Sequence, residues 1–177
     1  IVASPELCKG ITETDPQKWT SKQLSRRIAF VFQNPEHQFV KNTVLEEVMV
    51  GLFNTSEDDS KAMYNAHALL QRFGLDQYAD ANPYTLSGGE KRRLTVAAAL
   101  ASAPEVLILD EPTAGLDPEG VDKVLDILNK LNEEGISIVI SSHNIEMVNQ
   151  FADKIYVLHD GQIIASGDKH QIFSNKE

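Results

Sequence analysis

Four short stretches of this sequence place polar side chains where they could do chemistry. The first is Leu86-Ser87-Gly88-Gly89-Glu90, directly ahead of a helical pattern. Two glycines at a helix start leave backbone N–H groups uncovered, and the helix dipole favours an anion there. Ser87 adds a hydroxyl donor, but by itself such a run reads first as an ordinary cap after a loop. The second is Asp110-Glu111, which ends the apolar run Val106-Leu107-Ile108-Leu109. A carboxylate leaving a buried strand end can hold Mg²⁺, directly or through water, and its neighbour can orient and deprotonate an attacking water. A strand that simply ends in polar residues explains the pair equally well. The residues Pro112-Thr113-Ala114-Gly115-Leu116-Asp117 then form a turn whose plain role is capping.

The third is His143, which follows Ser141-Ser142 just past an apolar run at 136–140. In a parallel sheet that strand would lie near the one bearing Asp110, which separates His143 from His37, His67, His159 and His170, read as surface or satisfied core residues. The fourth is Gln33, at the end of Ile28-Ala29-Phe30-Val31-Phe32. Its amide could coordinate a metal or a water; the plain alternative is a turn residue before Asn34-Pro35.

The elements that must position these residues are written in the hydrophobic pattern. Residues 1–22 carry turn-formers and little periodicity, and no structure is assigned to them. Residues 28–32 read as a buried strand closed by Gln33-Asn34-Pro35. Thr43 and Glu46 resemble a capping box, with Leu45, Val48, Met49 and Leu52 on one helical face. A second helix is expected from about Ser56, striped by Ala62, Ala66, Leu69, Leu70 and Phe73 and stopped by Gly74. From Leu86 the order becomes helix, strand, helix, strand, helix, strand. Leu94, Ala97, Ala98 and Ala101 stripe one helix, and Val121, Val124, Leu125, Leu128 and Leu131 stripe the next, which opens at Asp117-Pro118 and ends at Gly135. A short helix through Met147, Val148 and Phe151 follows the strand at 136–140. Asp160-Gly161 between strands at 154–158 and 162–165 is a strong hairpin signal. Alternation of this kind predicts an α/β fold, a parallel sheet with helices on both faces and sites at the C-terminal strand ends.

Composition bounds the partners. A chain of 177 residues, 42% hydrophobic and 24% charged, is that of one ordinary globular domain or a piece of a slightly larger one. A net charge of −10 argues against long-range attraction to nucleic acid or anionic lipid, so no nucleic-acid partner is expected and an anionic ligand must be gripped locally. Cys8 alone rules out an internal disulfide and a cysteine-based metal cluster. No apolar run approaches the ~20 residues of a membrane span, so a membrane role must come through a partner.

Taken in order, these residues resemble the ATP-binding-cassette ATPase family. Leu86-Ser87-Gly88-Gly89-Glu90 resembles its signature motif, followed by a typical Lys91-Arg92-Arg93-Leu94 helix start. Residues 106–113 resemble its Walker B strand, Ala114-Gly115-Leu116-Asp117 its D-loop, His143 its switch histidine and Gln33 its Q-loop glutamine; the likeness runs from about Arg26 to the end. The resemblance implies a P-loop NTPase (RecA-like) sheet with an inserted all-helical subdomain. Residues 1–33 would be the remainder of the N-terminal RecA-like part, 34–95 the helical subdomain that grips a membrane partner, and 96–177 the C-terminal RecA-like part.

It also implies a mechanism. Members dimerise head to tail, as homo- or heterodimers, so that Ser87, Gly88, Gly89 and Glu90 would meet the ATP held by the partner cassette. Asp110, with Gln33, would hold Mg²⁺, Glu111 would be the general base, His143 and Gln33 would sense the γ-phosphate, and Asp117 would serve communication between the two subunits. Within the family, the run at 32–40 and Ser87-Gly88-Gly89-Glu90-Lys91-Arg92-Arg93-Leu94 resemble the cassettes of energy-coupling-factor vitamin and metal importers. Asn82-Pro83-Tyr84-Thr85 stands where exporters carry a Thr-Glu-Val-Gly-Glu type of loop, and Asn144 stands where many members have Asp.

The resemblance thus implies an ATPase subunit powering solute uptake at the cytoplasmic face of the membrane, beside integral membrane subunits. The open alternatives are a cassette serving translation or DNA repair, and a non-catalytic partner offering only its signature face. A Walker A loop, Gly-x-x-x-x-Gly-Lys, surrounds the β- and γ-phosphates, yet the sequence has no Gly-Lys dipeptide. The family places that loop shortly before the region where this sequence begins, so Ile1 is expected not to be the natural start. The chain alone is expected to be inactive.

Overall fold

A computed structural model describes residues 3–53 and 58–174, which fall into two compact units, Ile1–Ser141 and Ser142–Glu177. The first is built on three parallel strands, β1 (Ile28–Val31), β2 (Val106–Asp110) and β3 (Ser137–Ser141), in the order β1-β2-β3. Val31 pairs with Leu109 and Leu109 with Ile140, so alternate residues share a face. Val31, Leu107 and Leu109 are fully buried on one face, whereas Phe30 and Val139 on the other are 41% and 52% exposed. The sequence led to buried strands throughout; the structure buries Leu107 and Leu109 on one face of β2, leaves Val106 and Ile108 on the other only half-buried, and exposes Phe30 of β1 and Val139 of β3 beside them. Helices α4 (Gly88–Leu100) and α5 (Pro118–Glu133) cause this, because they pack on each other as well as on β1 and β3 and therefore share one side.

α5 forms as its pattern requires. Asp117 accepts the Gly120 N–H at 2.9 Å, Pro118 opens the first turn, and Val124, Leu125, Leu128 and Leu131 are buried. Two further helices, α2 (Val44–Phe53) and α3 (Asp59–Arg72), pack with α4 into a helical layer. Thr43 accepts the Glu46 N–H at 3.2 Å, the cap expected for α2. A Cβ on Gly51 would lie 2.7 Å from the Cβ of Ala101, so only glycine lets α2 approach this closely. α3 is capped by Asp58 and buries Ala62, Ala66 and Leu70; its expected start at Ser56 lies outside the described residues.

Residues 3–27 carry more order than their pattern announces. α1 (Ser21–Ser25) opens with a capping box between Thr20 and Gln23. Trp19, 7% exposed, donates its indole N–H to the Glu13 carbonyl at 2.7 Å. Arg27 lies over the Trp19 ring and donates to the carbonyls of Leu7 and Lys9 at 2.7 and 2.5 Å. These contacts join residues six to twenty apart, which periodicity does not register.

The second unit contains α6 (Ile145–Phe151), β4 (Ile155–His159), β5 (Gln162–Gly167) and α7 (Lys169–Phe173). β4 and β5 pair antiparallel, and Asp160 and Gly161 turn between them with φ of 47° and 74°, the left-handed pair that a two-residue hairpin needs. Among the described residues no helix is long and apolar enough to cross a membrane.

Glu47 is the unexpected member of the core. It sits on the buried face of α2 with Val44, Val48 and Gly51, is 5% exposed, and accepts the N–H groups of Val40 and Lys41 at 2.9 and 2.8 Å. Burial pushes its carboxyl above the usual range, against the opposing pull of those two N–H groups and of the Lys41 charge. A carboxyl raised in the folded state contributes stability that is full below its unfolded pKa and lost as pH rises through the folded value. Glu47→Gln keeps an acceptor for both N–H groups and removes the charge. Urea unfolding from about pH 4 to about pH 8 should therefore show the variant gaining on the wild type as pH rises; parallel stability curves would contradict this.

Candidate functional site

The sheet register brings the strand-end residues together. Val31 and Leu109 are partners, so Gln33 and Glu111, each two residues further on, leave the sheet at the same edge. Asp110 pairs with Ser141 of β3, and the Ser141 hydroxyl donates to Asp110 Oδ1 at 2.8 Å. Glu111 donates its N–H to the Ser141 carbonyl at 2.9 Å and turns with φ of 44°. A left-handed glutamate costs on the order of 1 kcal/mol or more, so the surrounding bonds must hold it there. One of them runs from the Ala114 N–H to the Glu111 carbonyl at 3.1 Å.

The donor-rich run lies at the start of α4. Ser87 is the N-cap, and its N–H and hydroxyl donate to Glu90 Oε2 at 2.8 and 2.7 Å, while the Glu90 N–H returns a 3.4 Å bond to the Ser87 oxygen. The Ser87 hydroxyl, then its N–H, with a smaller contribution from Tyr78, hold the Glu90 carboxyl below the usual range. Glu90 is thus charged and engaged in the cap. Apart from adjacent residues and the helix's own backbone, no heavy atom lies within 4 Å of where a Gly88 Cβ would stand, and a Gly89 Cβ would meet only Arg93 Nη1 at 3.9 Å. The helix start is therefore open to an incoming group, with N–H groups as its chemistry.

Arg92 joins the two places, and the sequence reading gave it no role beyond a helix start. It is 1% exposed; Nη1 donates to the Phe32 carbonyl at 2.6 Å, Nη2 to the Gln33 carbonyl at 2.6 Å, and Nη2 approaches the Glu111 carbonyl at 3.5 Å. Burial lowers its pKa and the attraction of Asp110 opposes that; arginine stays charged regardless. Beside it, Lys91 Nζ meets Glu36 Oε1 at 2.6 Å. Gln38 was missed as well: its side chain donates to the Phe30 carbonyl at 2.9 Å and accepts the Phe32 N–H at 3.0 Å, as a neighbouring strand would. The available signal for Arg92 was a charge on the same helical face as the buried Thr95 and Val96.

Gln33, Asp110 and Glu111 therefore share one sheet edge. Ser87 stands five residues before Arg92 on α4, about 7.5 Å along the helix axis from the guanidinium's turn. Asp117 caps α5. His143 belongs to the second unit, exposed and directly before Asn144, whose side chain accepts the Met147 N–H at 3.0 Å and caps α6. Among the described residues no group of three or more His, Cys, Asp or Glu side chains could hold a metal alone. Asp110 supplies the hard oxygen that Mg²⁺ takes when phosphate and water complete its shell, so the residues fit such an ion together with a nucleotide.

Comparison with known proteins gives this arrangement its relatives. The chain is 38% identical over 177 residues to the energy-coupling factor transporter ATP-binding protein EcfA of Methanosphaera stadtmanae; the match takes in 97% of this chain and spans 64% of that protein's length. Among solved structures it is similar to cbiO1 of Clostridium perfringens, part of the ABC transporter complex cbiONQ, with a TM-score of 0.78 and 34% identity over 90% of this chain and 65% of that one. It is also similar to a dimeric ATP-binding cassette in a post-hydrolysis state bound to ADP and phosphate, with a TM-score of 0.73 and 28% identity over 86% of this chain and 68% of that one. The profile of the ABC transporter family matches residues 6–114, more than half of the sequence, and the chain belongs to that family.

Proposed function

We propose that this chain is the part of an energy-coupling-factor type importer cassette that carries the signature motif and the hydrolytic carboxylates, acting with a phosphate loop encoded outside these residues. The observation that carries the reading is the meeting of Gln33, Asp110 and Glu111 at one sheet edge, tied by Arg92 to the helix that starts at Ser87. Relatives named as an energy-coupling factor transporter ATP-binding protein and as part of the ABC transporter complex cbiONQ support this class.

In this reading two cassettes, alike or different, close over ATP, with Ser87, Gly88 and Gly89 of one facing the γ-phosphate held by the other. Their N–H groups and hydroxyl gain most as charge develops on the phosphoryl oxygens. Asp110, oriented by the Ser141 hydroxyl, would hold Mg²⁺ together with the Gln33 amide, and the ion would supply neutralisation of the phosphate charge. Glu111 accepts the proton of the attacking water, Gln33 and His143 sense the γ-phosphate, and Asp117 links the two subunits. Glu90 keeps Ser87 in its capping geometry until the partner's nucleotide arrives. In the same reading the segment at 33–40, exposed at Gln33, Asn34, Glu36, His37 and Val40, faces integral membrane subunits from the cytoplasmic side of the membrane.

Two measurements test this. Glu111→Gln keeps size and hydrogen bonding but removes the base; in the assembled ATPase it should leave Mg-ATP binding intact and lower turnover by about 10²-fold or more. Unchanged turnover would remove Glu111 from its role. Without a Gly-Lys phosphate loop, residues 1–177 alone should bind Mg-ATP weakly and hydrolyse it at background rate. Micromolar affinity with turnover by the purified chain would mean that it holds phosphate at a different place.

A further inference from the structure

Arg92 reaches, through backbone carbonyls alone, the two segments whose side chains are given roles above. Its fork donates to Phe32 O and Gln33 O, both at 2.6 Å, and approaches Glu111 O at 3.5 Å. We propose that Arg92 is a positioning residue that fixes Gln33 and Glu111 against the signature helix, so that displacement of the 32–36 segment is carried to Ser87, Gly88 and Gly89. The proposal rests on the functional reading above and names the side chain that couples its parts.

Three observations carry it. A planar guanidinium spreads its donors over separate nitrogens in a fixed fork, and Arg92 uses Nη1 for Phe32 O and Nη2 for Gln33 O and Glu111 O; a lysine has its three donors on one nitrogen and cannot reproduce that spread. The arrangement leaves Arg92 Nε buried with no partner, so the group is not placed to satisfy itself. Its donors are directed instead at the carbonyls of Phe32, Gln33 and Glu111, and Glu111 sits at a left-handed φ of 44°, where its carbonyl direction is fixed by few alternatives. The neighbouring residue strengthens the grip: Lys91 Nζ meets Glu36 Oε1 at 2.6 Å, and Glu36 lies in the 3-10 turn Pro35–His37 that follows Gln33. Successive residues of α4 thus hold both ends of the 32–36 segment, the segment expected to face the membrane subunits. A movement imposed there meets the signature helix through these short polar contacts, about one and a half turns from Ser87.

The test compares wild type, Arg92→Lys, Arg92→Gln and the surface control Arg72→Gln in the assembled ATPase, phosphate loop included. Mg-ATP kinetics and amide hydrogen exchange are read together. Arg92→Gln should speed exchange about 10-fold in residues 32–38 and 111–116 while the buried stripe of α5 at 124–131 keeps its protection. It should lower kcat by about 10-fold or more with KM changed less than about threefold, Arg92→Lys falling between and Arg72→Gln matching wild type. If Arg92→Gln does not fold, Arg92→Lys is read alone in the same way. Exchange that rises evenly across α5, or does not rise, overturns the proposal, as does local loosening with kcat unchanged. A wild type that hydrolyses no ATP overturns the functional reading instead, and the exchange pattern still decides whether Arg92 holds the two segments.

Discussion

A buried positive charge bonded only to main-chain oxygens sets the geometry on which the rest of the first unit depends. Arg92 leaves water almost entirely and takes carbonyls from the segment after β1 and the segment after β2. Those carbonyls lie past the ends of their strands: Phe32 O and Gln33 O take the short bonds from Arg92, while Glu111 O also accepts the Ala114 N–H at 3.1 Å. The guanidinium satisfies them and in doing so sets α4 against both strand ends. Asp110, near the same charge, opposes the fall in its pKa. The sheet register then fixes the rest: with Val31 opposite Leu109, the side chains that emerge at Gln33 and Glu111 leave the sheet at one level.

For a chain of net charge −10, the nucleotide handling proposed above needs donors that are local and directional. With a net charge of −10 the long-range field repels a nucleotide, so attraction has to come from fixed N–H groups at short range and from a cation brought with the phosphates. The start of α4 offers such donors, and the Glu90 carboxylate is engaged with Ser87 at 2.7 and 2.8 Å. Glu47 uses a similar economy of donors elsewhere, its one oxygen closing the turn at Val40 and Lys41.

Much of this was legible in the residues, for identifiable reasons. Apolar runs fixed β2 and the stripes of α3 and α5, because burial on one face writes a period into the chain. Asp160-Gly161 marked a hairpin because few residue pairs tolerate its backbone. The motif order marked the strand-end carboxylates and Gln33. What escaped notice was polar. Arg92 bonds to backbone groups far away in sequence, Glu47 and Gln38 to groups within eight residues, and a charged letter on a helix reads as solvated until its burial is seen. The order of residues 3–27 escaped for a related reason, since Trp19 and Arg27 are pinned by carbonyls of Glu13, Leu7 and Lys9. The half-open sheet escaped because a strand's pattern does not say how many layers cover it.

The central claim is that the helix start at Ser87 completes an ATP site whose phosphate loop belongs to another cassette. The most direct measurement is a structure of the dimeric assembly with Mg²⁺ and a non-hydrolysable ATP analogue, reading the separation between the γ-phosphate oxygens and the donors of Ser87 and Gly89. The account predicts hydrogen-bond distances, about 2.7–3.2 Å, to the nucleotide held by the partner cassette. A nucleotide bound with Ser87, Gly88 and Gly89 facing solvent, or gripped by them without any partner cassette, would contradict it.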